Sequence, residues 1–113
     1  MARFLVMTTH AMDRLVERGG KAVAHLKKIK DMHERRAAAL ELAKTAKENR
    51  AFLNNTLFMT NILARYGFEK RFAVYILPGL IFIAVENEDG SHIIVTTLDQ
   101  RTSYVPQFRH AHR

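Results

Sequence analysis

Cysteine is absent from this sequence of 113 residues. Its absence excludes a disulfide framework, a zinc–thiolate site and a cysteine nucleophile. The longest apolar run, YILPGLIFIAV, is interrupted by Pro-Gly and is shorter than the ~20 residues that cross a bilayer. The first ten residues, MARFLVMTTH, lack an apolar core followed by a small-residue cleavage site, so we expect no secretory signal. Together these absences predict a cytoplasmic protein with no membrane contact.

Several catalytic and cofactor-binding motifs are also missing. The sequence has no glycine-rich phosphate loop, no HExxH, no GxSxG and no helix-turn-helix pattern. His110 and His112 stand two residues apart in the tail, but no further ligand accompanies them. We therefore expect no cofactor and no metal site. Base reading by a recognition helix has no direct support either.

Positive charge is the most prominent feature that is present. Eighteen Lys and Arg residues against eleven Asp and Glu residues give a net charge of +7. Such an excess favours an anionic partner: nucleic acid first, then an acidic protein or a membrane surface. Solubility alone is the alternative explanation. The 48% hydrophobic content and the short length indicate one globular domain, 1–113.

The first half of the chain predicts one strand followed by helices. The run RFLVMT, 3–8, is β-prone, and Thr9 stands where the N-cap of a helix is expected. That helix is interrupted or ended by Gly19 and Gly20. Apolar residues then recur at helical spacing from Lys21 to about Glu48.

The second half continues with a helix and then becomes β-rich. A helix is expected from about Arg50 to Arg65, stopped by Gly67, so that 20–66 forms an extended helical segment. The runs RFAVYIL, LIFIAVE and SHIIVTTL, separated by PG and NEDG, predict an antiparallel meander. The predicted fold is α+β: an N-terminal strand and two or three helices packed on a C-terminal three-stranded antiparallel meander.

A basic row lies on the first predicted helix. His10, Arg14 and Arg18 are spaced i, i+4 and i+8, which puts them on one side of the helix, roughly opposite its apolar residues. Guanidinium groups bind phosphates through paired donors. The alternative is a solvated polar face in which Asp13 and Glu17 pair with the arginines.

Two other segments are rich in basic residues. The stretch HLKKIKDMHERR would form a helix able to lie along a phosphate backbone, or else a solvated charged helix. Its candidate nucleic-acid contacts are Lys27, Lys28, Lys30, Arg35 and Arg36. The tail, 105–113, is either a nucleic-acid contact through Arg109 or a disordered end.

The stretch THAMDRLVERGG resembles the HAxxRxxxRG signature of a family of small domains of unknown function, which in turn resemble the RelE/ParE toxin superfamily. The signature falls on His10, Ala11, Arg14, Arg18 and Gly19, and DGSHIIVTTL at 89–98 is similar to the last core strand of that family. The family order is one strand, two helices and a three- or four-stranded antiparallel meander. This chain departs from it by a longer helical segment between signature and meander, which we interpret as a helical insertion.

The resemblance implies RNA as the ligand and a metal-independent endoribonuclease of the toxin, or mRNA interferase, type. Such cleavage needs a base, a cation for the phosphate and an acid for the leaving oxygen. The catalytic candidates are His10, His92, Arg101 and Tyr104. For His92 the alternative is a strand residue facing solvent, and for Tyr104 it is packing. An antitoxin is a candidate partner.

Two other functions remain open on the sequence. One is a non-enzymatic phage or mobile-element protein that binds and inhibits a host protein or nucleic-acid machine. It would dock or form a homo-oligomer through the helical segment, where some of the apolar residues Phe52, Leu53, Leu57 and Phe58 are expected to be exposed. The other is DNA or RNA binding without catalysis.

Overall fold

The computed structural model of the chain describes residues 5–67 and 69–99, except the side chains of 21 and 22. The fold is α+β, with four α-helices and one five-stranded sheet. The elements are β1 Leu5–Met7, α1 Thr9–Arg18, α2 Ala24–Lys27, α3 Met32–Ala43, β2 Lys47–Glu48, α4 Thr56–Tyr66, β3 Arg71–Leu77, β4 Leu80–Glu86 and β5 His92–Asp99. Two 3₁₀ turns, Gly20–Val23 and Arg50–Asn54, precede α2 and α4. Among these described elements, no helix has the length and apolar character needed to cross a membrane.

The sheet is larger and more mixed than the three-stranded antiparallel meander expected from the sequence. Its strand order is β1-β5-β4-β3-β2. The strand β1 pairs with β5 in parallel, whereas the other neighbours pair antiparallel. The additional strand β2 has only two residues, Lys47 and Glu48, both exposed. A strand this short has no apolar alternation, and so the sequence does not indicate it.

One face of the sheet is covered by α1, α2 and α3. The helix α1 begins after Thr8, whose Oγ1 accepts a hydrogen bond from the backbone N–H of Ala11 at 3.1 Å. The assignment of Thr9 as N-cap is therefore wrong by one residue. Met12 and Leu15 of α1 are fully buried in this core.

The other face is covered by α4 and the 3₁₀ turn before it. Phe52 and Phe58 pack edge to face, with ring centroids 5.3 Å apart, and both are buried. Leu53 is partly buried against the same cluster, and Leu57 is exposed. Of the four apolar residues of which some were expected to be exposed, Leu57 is exposed, whereas both phenylalanines belong to the second core.

The helical segment 20–66 is broken where the sequence predicted continuity. The helix α2 ends at Lys27, and α3 starts anew after Asp31, whose carboxylate accepts from the N–H of Glu34 at 2.9 Å. Arg35 of α3 donates from Nε to the carbonyls of Leu26 and Ile29, at 3.1 and 2.9 Å. This arginine adds a side-chain donor to the carbonyl of Leu26, which also accepts from the N–H of Ile29, and ties α3 to the end of α2.

Candidate nucleic-acid interface

A cleft with a strongly basic lining opens where α1, α4 and β5 meet. Its volume is about 170 Å³. The strand β1 pairs only with the first residues of β5, so the later residues of β5 extend beyond β1 towards this cleft. We call it the basic cleft, and its lining residues are His10, Arg14, Arg18, Arg65, Tyr66, Thr96 and Leu98.

Two hydrogen bonds fix α1 against the extended part of β5. Arg18 donates from Nη1 to the carbonyl of Thr97 at 2.8 Å, and the hydroxyl of Thr97 donates to the carbonyl of Ala11 at 3.0 Å. A guanidinium carries five N–H donors, so the bond to Thr97 uses only part of what Arg18 offers. All three residues of the basic row on α1 line this one cleft, as their helical spacing allows.

Glu17 pairs with both arginines of the basic row on α1. Its Oε1 lies 2.9 Å from Nη1 of Arg14 and 3.8 Å from Nε of Arg18. The pairing of Glu17 with the arginines, which the sequence offered as an alternative, is therefore present. Because Arg14 and Glu17 are both well exposed, such a pair contributes only about 0.2–1 kcal/mol. An incoming phosphate can compete with it at small cost.

The sequence did not single out Arg65 and Tyr66, which α4 adds to the cleft. They occupy the last turn of α4, which ends at Gly67 with a φ of 98° that favours glycine. The Tyr66 ring packs against Phe72, with centroids 6.2 Å apart. The predicted end of this helix was nearly correct, but nothing in the sequence indicates that its last turn meets α1.

His92 lies in the core and not at the cleft. Its imidazole is fully buried, with Nδ1 2.5 Å from the hydroxyl of Tyr75 and Nε2 3.5 Å from Oε1 of Glu86. The alternative of a solvent-facing strand residue is therefore wrong. An imidazole with no exposed surface cannot touch an RNA in this conformation, and so the catalytic role given to His92 is not carried into the proposal below.

The remaining predicted contacts are scattered. Lys27, Lys28 and Lys30 are exposed at the end of α2 and in the loop after it. Arg35 and Arg36 are partly buried: the first bonds the end of α2, and Nη2 of the second donates to Oγ1 of Thr9. The five residues thus do not form one continuous basic helix. The remaining predicted residues, Arg101, Tyr104 and Arg109 with the tail 105–113, lie outside the described residues.

Within residues 5–67 and 69–99, no group of three or more His, Asp or Glu side chains is placed to hold a metal ion. Comparisons of the chain with protein-family models, with curated proteins and with solved structures found no match. The resemblance to the RelE/ParE superfamily therefore stays a prediction.

Proposed function

We propose that this protein binds RNA and holds its phosphodiester backbone in the basic cleft. The observation that carries the proposal is the convergence of three arginines and one histidine from two helices on a single small cleft. Arg14 and Arg18 come from α1, and Arg65 comes from α4. Guanidinium groups bind phosphate oxygens through two parallel hydrogen bonds, which gives both affinity and orientation.

The size of the cleft fits this ligand. Pockets for small molecules and cofactors usually enclose about 300–1,000 Å³, whereas the basic cleft encloses about 170 Å³. It therefore suits one phosphate with part of its sugar, presented by a longer chain. The ring of Tyr66 at the rim is the type of side chain on which unpaired bases stack. The net charge of +7 attracts such a polyanion from a distance.

We propose further that bound RNA is cleaved without a metal, as the resemblance implies. His10 is the imidazole of the cleft and takes the proton of the 2′-hydroxyl. The 2′-oxygen then attacks phosphorus, the P–O5′ bond breaks, and a 2′,3′-cyclic phosphate forms. The three guanidiniums stabilise the charge that develops on the phosphate oxygens. The hydroxyl of Tyr66, a residue that lines the same cleft, gives the leaving 5′-oxygen its proton.

Binding is tested by fluorescence anisotropy with a labelled single-stranded RNA over a range of salt concentrations. Replacing Arg14 or Arg65 with Ala should weaken binding and reduce the slope of log K against log salt by about 0.7, the value for one phosphate contact on a single strand. Arg50→Ala is the matched control, because Arg50 is highly exposed and lies outside the cleft. Equal losses in the control and the cleft variants would reject the cleft as the binding site.

Cleavage is tested on the same RNA in the presence of a chelator, with products separated on a sequencing gel. His10→Ala should abolish the cuts and leave affinity nearly unchanged, and an RNA with 2′-deoxy nucleotides should stay intact. Tight binding of RNA that remains uncut would leave a non-catalytic RNA-binding protein. Docking of a host protein through residues 52–58 has less support, because Phe52 and Phe58 are core residues.

A further inference from the structure

A second groove runs between the edge strand β1 and the helix α3, and it is not part of the basic cleft. It encloses about 400 Å³ and is mostly apolar. We call it the β1–α3 groove, and its lining residues are Leu5, Val6, Met7, His33, Arg36, Ala37, Leu40 and Lys44. All three residues of β1 contribute to it.

The backbone of β1 presents hydrogen-bonding groups to this groove. The N–H of Thr8 donates to the carbonyl of Ile94 at 3.0 Å, so the backbone polar groups of Thr8 point towards β5. These groups alternate in direction along a strand, and so the N–H and C=O of Val6 also point towards β5. The N–H and C=O of Leu5 and Met7 point the opposite way, towards the open edge. No hydrogen bond from their backbone groups is found within the described part of the chain. Such an edge can accept one more strand.

The charge of the groove selects the kind of strand that fits. Its polar lining consists of His33, Arg36 and Lys44, and no acidic residue contributes to it. Lys44 pairs with Glu41 at 3.2 Å, but both side chains are highly exposed, so that pair is weak. The groove is thus an apolar floor with a basic rim.

Arg36 carries a donor that lacks an acceptor. Its Nε is buried and makes no hydrogen bond to any described residue, while Nη2 of the same guanidinium donates to Thr9. Because this N–H has no access to solvent, a ligand in the groove cannot reach it in this conformation. Arg36 therefore contributes to the groove through its positive charge.

We propose that the β1–α3 groove binds an extended segment of a partner protein that is apolar at its centre and acidic at its ends. The segment adds to the sheet beside β1, and because alternate side chains of a strand point to opposite faces, only every second side chain turns towards α3. The central ones pack on the groove floor, and the carboxylates at the ends meet the basic rim, whose residues flank Ala37 and Leu40 along α3. The basic tail of this chain, 105–113, has the wrong charge for this role. A second copy of β1 supplies no carboxylate, since Leu5, Val6 and Met7 are all apolar.

The first test uses the heptapeptide Glu-Thr-Val-Thr-Val-Thr-Glu with blocked termini, the Val–Glu peptide, titrated against the full chain by calorimetry. It should bind at least about tenfold more tightly than the matched Val–Lys peptide, in which Lys replaces both Glu residues. Lys44→Glu should weaken its binding several-fold. The control Lys47→Glu makes the same charge change at an exposed position outside the groove and should have little effect. No binding, equal binding of both peptides, or equal effects of the two substitutions would overturn the proposal.

The second test asks whether the peptide pairs with β1. Two versions of the Val–Glu peptide carry N-methyl groups on alternate residues, one set on the Thr residues and the other on the Val and Glu residues. One version should bind like the parent and the other should fail, because only one set of N–H groups faces β1. Equal behaviour of the two would exclude strand addition.

Two further readouts identify the occupant. Arg65→Ala, which weakens the proposed RNA contact, should leave peptide binding unchanged. The RNA site and the peptide site can therefore be tested separately, and rejection of one leaves the other standing. Sedimentation of the protein alone should give a monomer. A dimer that the Val–Glu peptide does not dissociate would mean that a second copy occupies the groove, and would overturn the proposal.

Discussion

Replacing His92 with Ala separates a structural role from a catalytic one. The imidazole is fully buried, and its removal would leave a cavity beside the Tyr75 ring. Comparable deletions of large buried side chains cost about 2–5 kcal/mol. The Tyr75 hydroxyl also loses its hydrogen bond with Nδ1 of His92, and the loss of a buried hydrogen bond costs about 1–3 kcal/mol. These effects overlap, so we expect the free energy of unfolding to fall by about 3–5 kcal/mol, out of the ~5–15 kcal/mol typical of a domain.

Urea unfolding followed by circular dichroism measures this loss. Tyr75→Phe removes only the hydroxyl and should cost less, about 1–3 kcal/mol. His10→Ala, at an exposed position, should change stability by less than about 0.5 kcal/mol while it abolishes cleavage. The reasoning would be refuted if His92→Ala were as stable as the parent protein and yet failed to cut RNA, because His92 would then act on the substrate.

Two further predictions concern local structure. In Gly19→Ala the new Cβ would lie 2.6 Å from both Cγ atoms of Val23, so the free energy of unfolding should fall by about 1–3 kcal/mol. In Gly20→Ala the new Cβ meets open space, and the only cost is the ~1–2 kcal/mol of holding Ala at a left-handed φ of 58°. Chemical denaturation compares the two variants, and equal stability of Gly19→Ala and the parent protein would contradict the clash. Hydrogen bonds from the hydroxyl and the N–H of Ser91 hold the pKa of Asp89 below its ordinary value, so the stabilisation is present at neutral pH and is lost as pH falls through that lowered pKa. An NMR titration should show the pKa of Asp89 rising towards its ordinary value in Ser91→Ala, and an unchanged pKa would exclude this cause.

The hairpin strands were predictable because their signals are local. The runs RFAVYIL and LIFIAVE coincide with β3 and β4, because each run is rich in strand-forming residues and ends at a turn signal, Pro-Gly for the first and NEDG for the second. The orientation of His92 was not predictable. Both faces of the sheet are covered, and so β5 shows no clean alternation of polar and apolar residues. A register shift at Ile83 and Ala84 further changes which residues of β5 share a face.

The candidate site likewise has one part that the sequence predicts and one part that it does not. The row of His10, Arg14 and Arg18 follows from helical spacing alone, and it lines the basic cleft together. Arg65 and Tyr66 join it only because α1 and α4 lie at the same end of β5, a consequence of packing between distant parts of the chain. The resemblance to RNA-cleaving toxins also directed attention to His92, although the exposed imidazole of the cleft is His10.

The two edges of the sheet differ, and this difference limits how copies of the protein can aggregate. At one edge, β2 offers only two residues, Lys47 and Glu48, whose charges and short length discourage strand addition. Of the two edge strands described, β1 is therefore the one that more readily accepts a further strand. Pairing through β1 alone joins one copy of the protein to another and no more, so this route ends at a dimer and cannot propagate into a fibre. We therefore expect self-association through β1 to yield dimers and not fibrils.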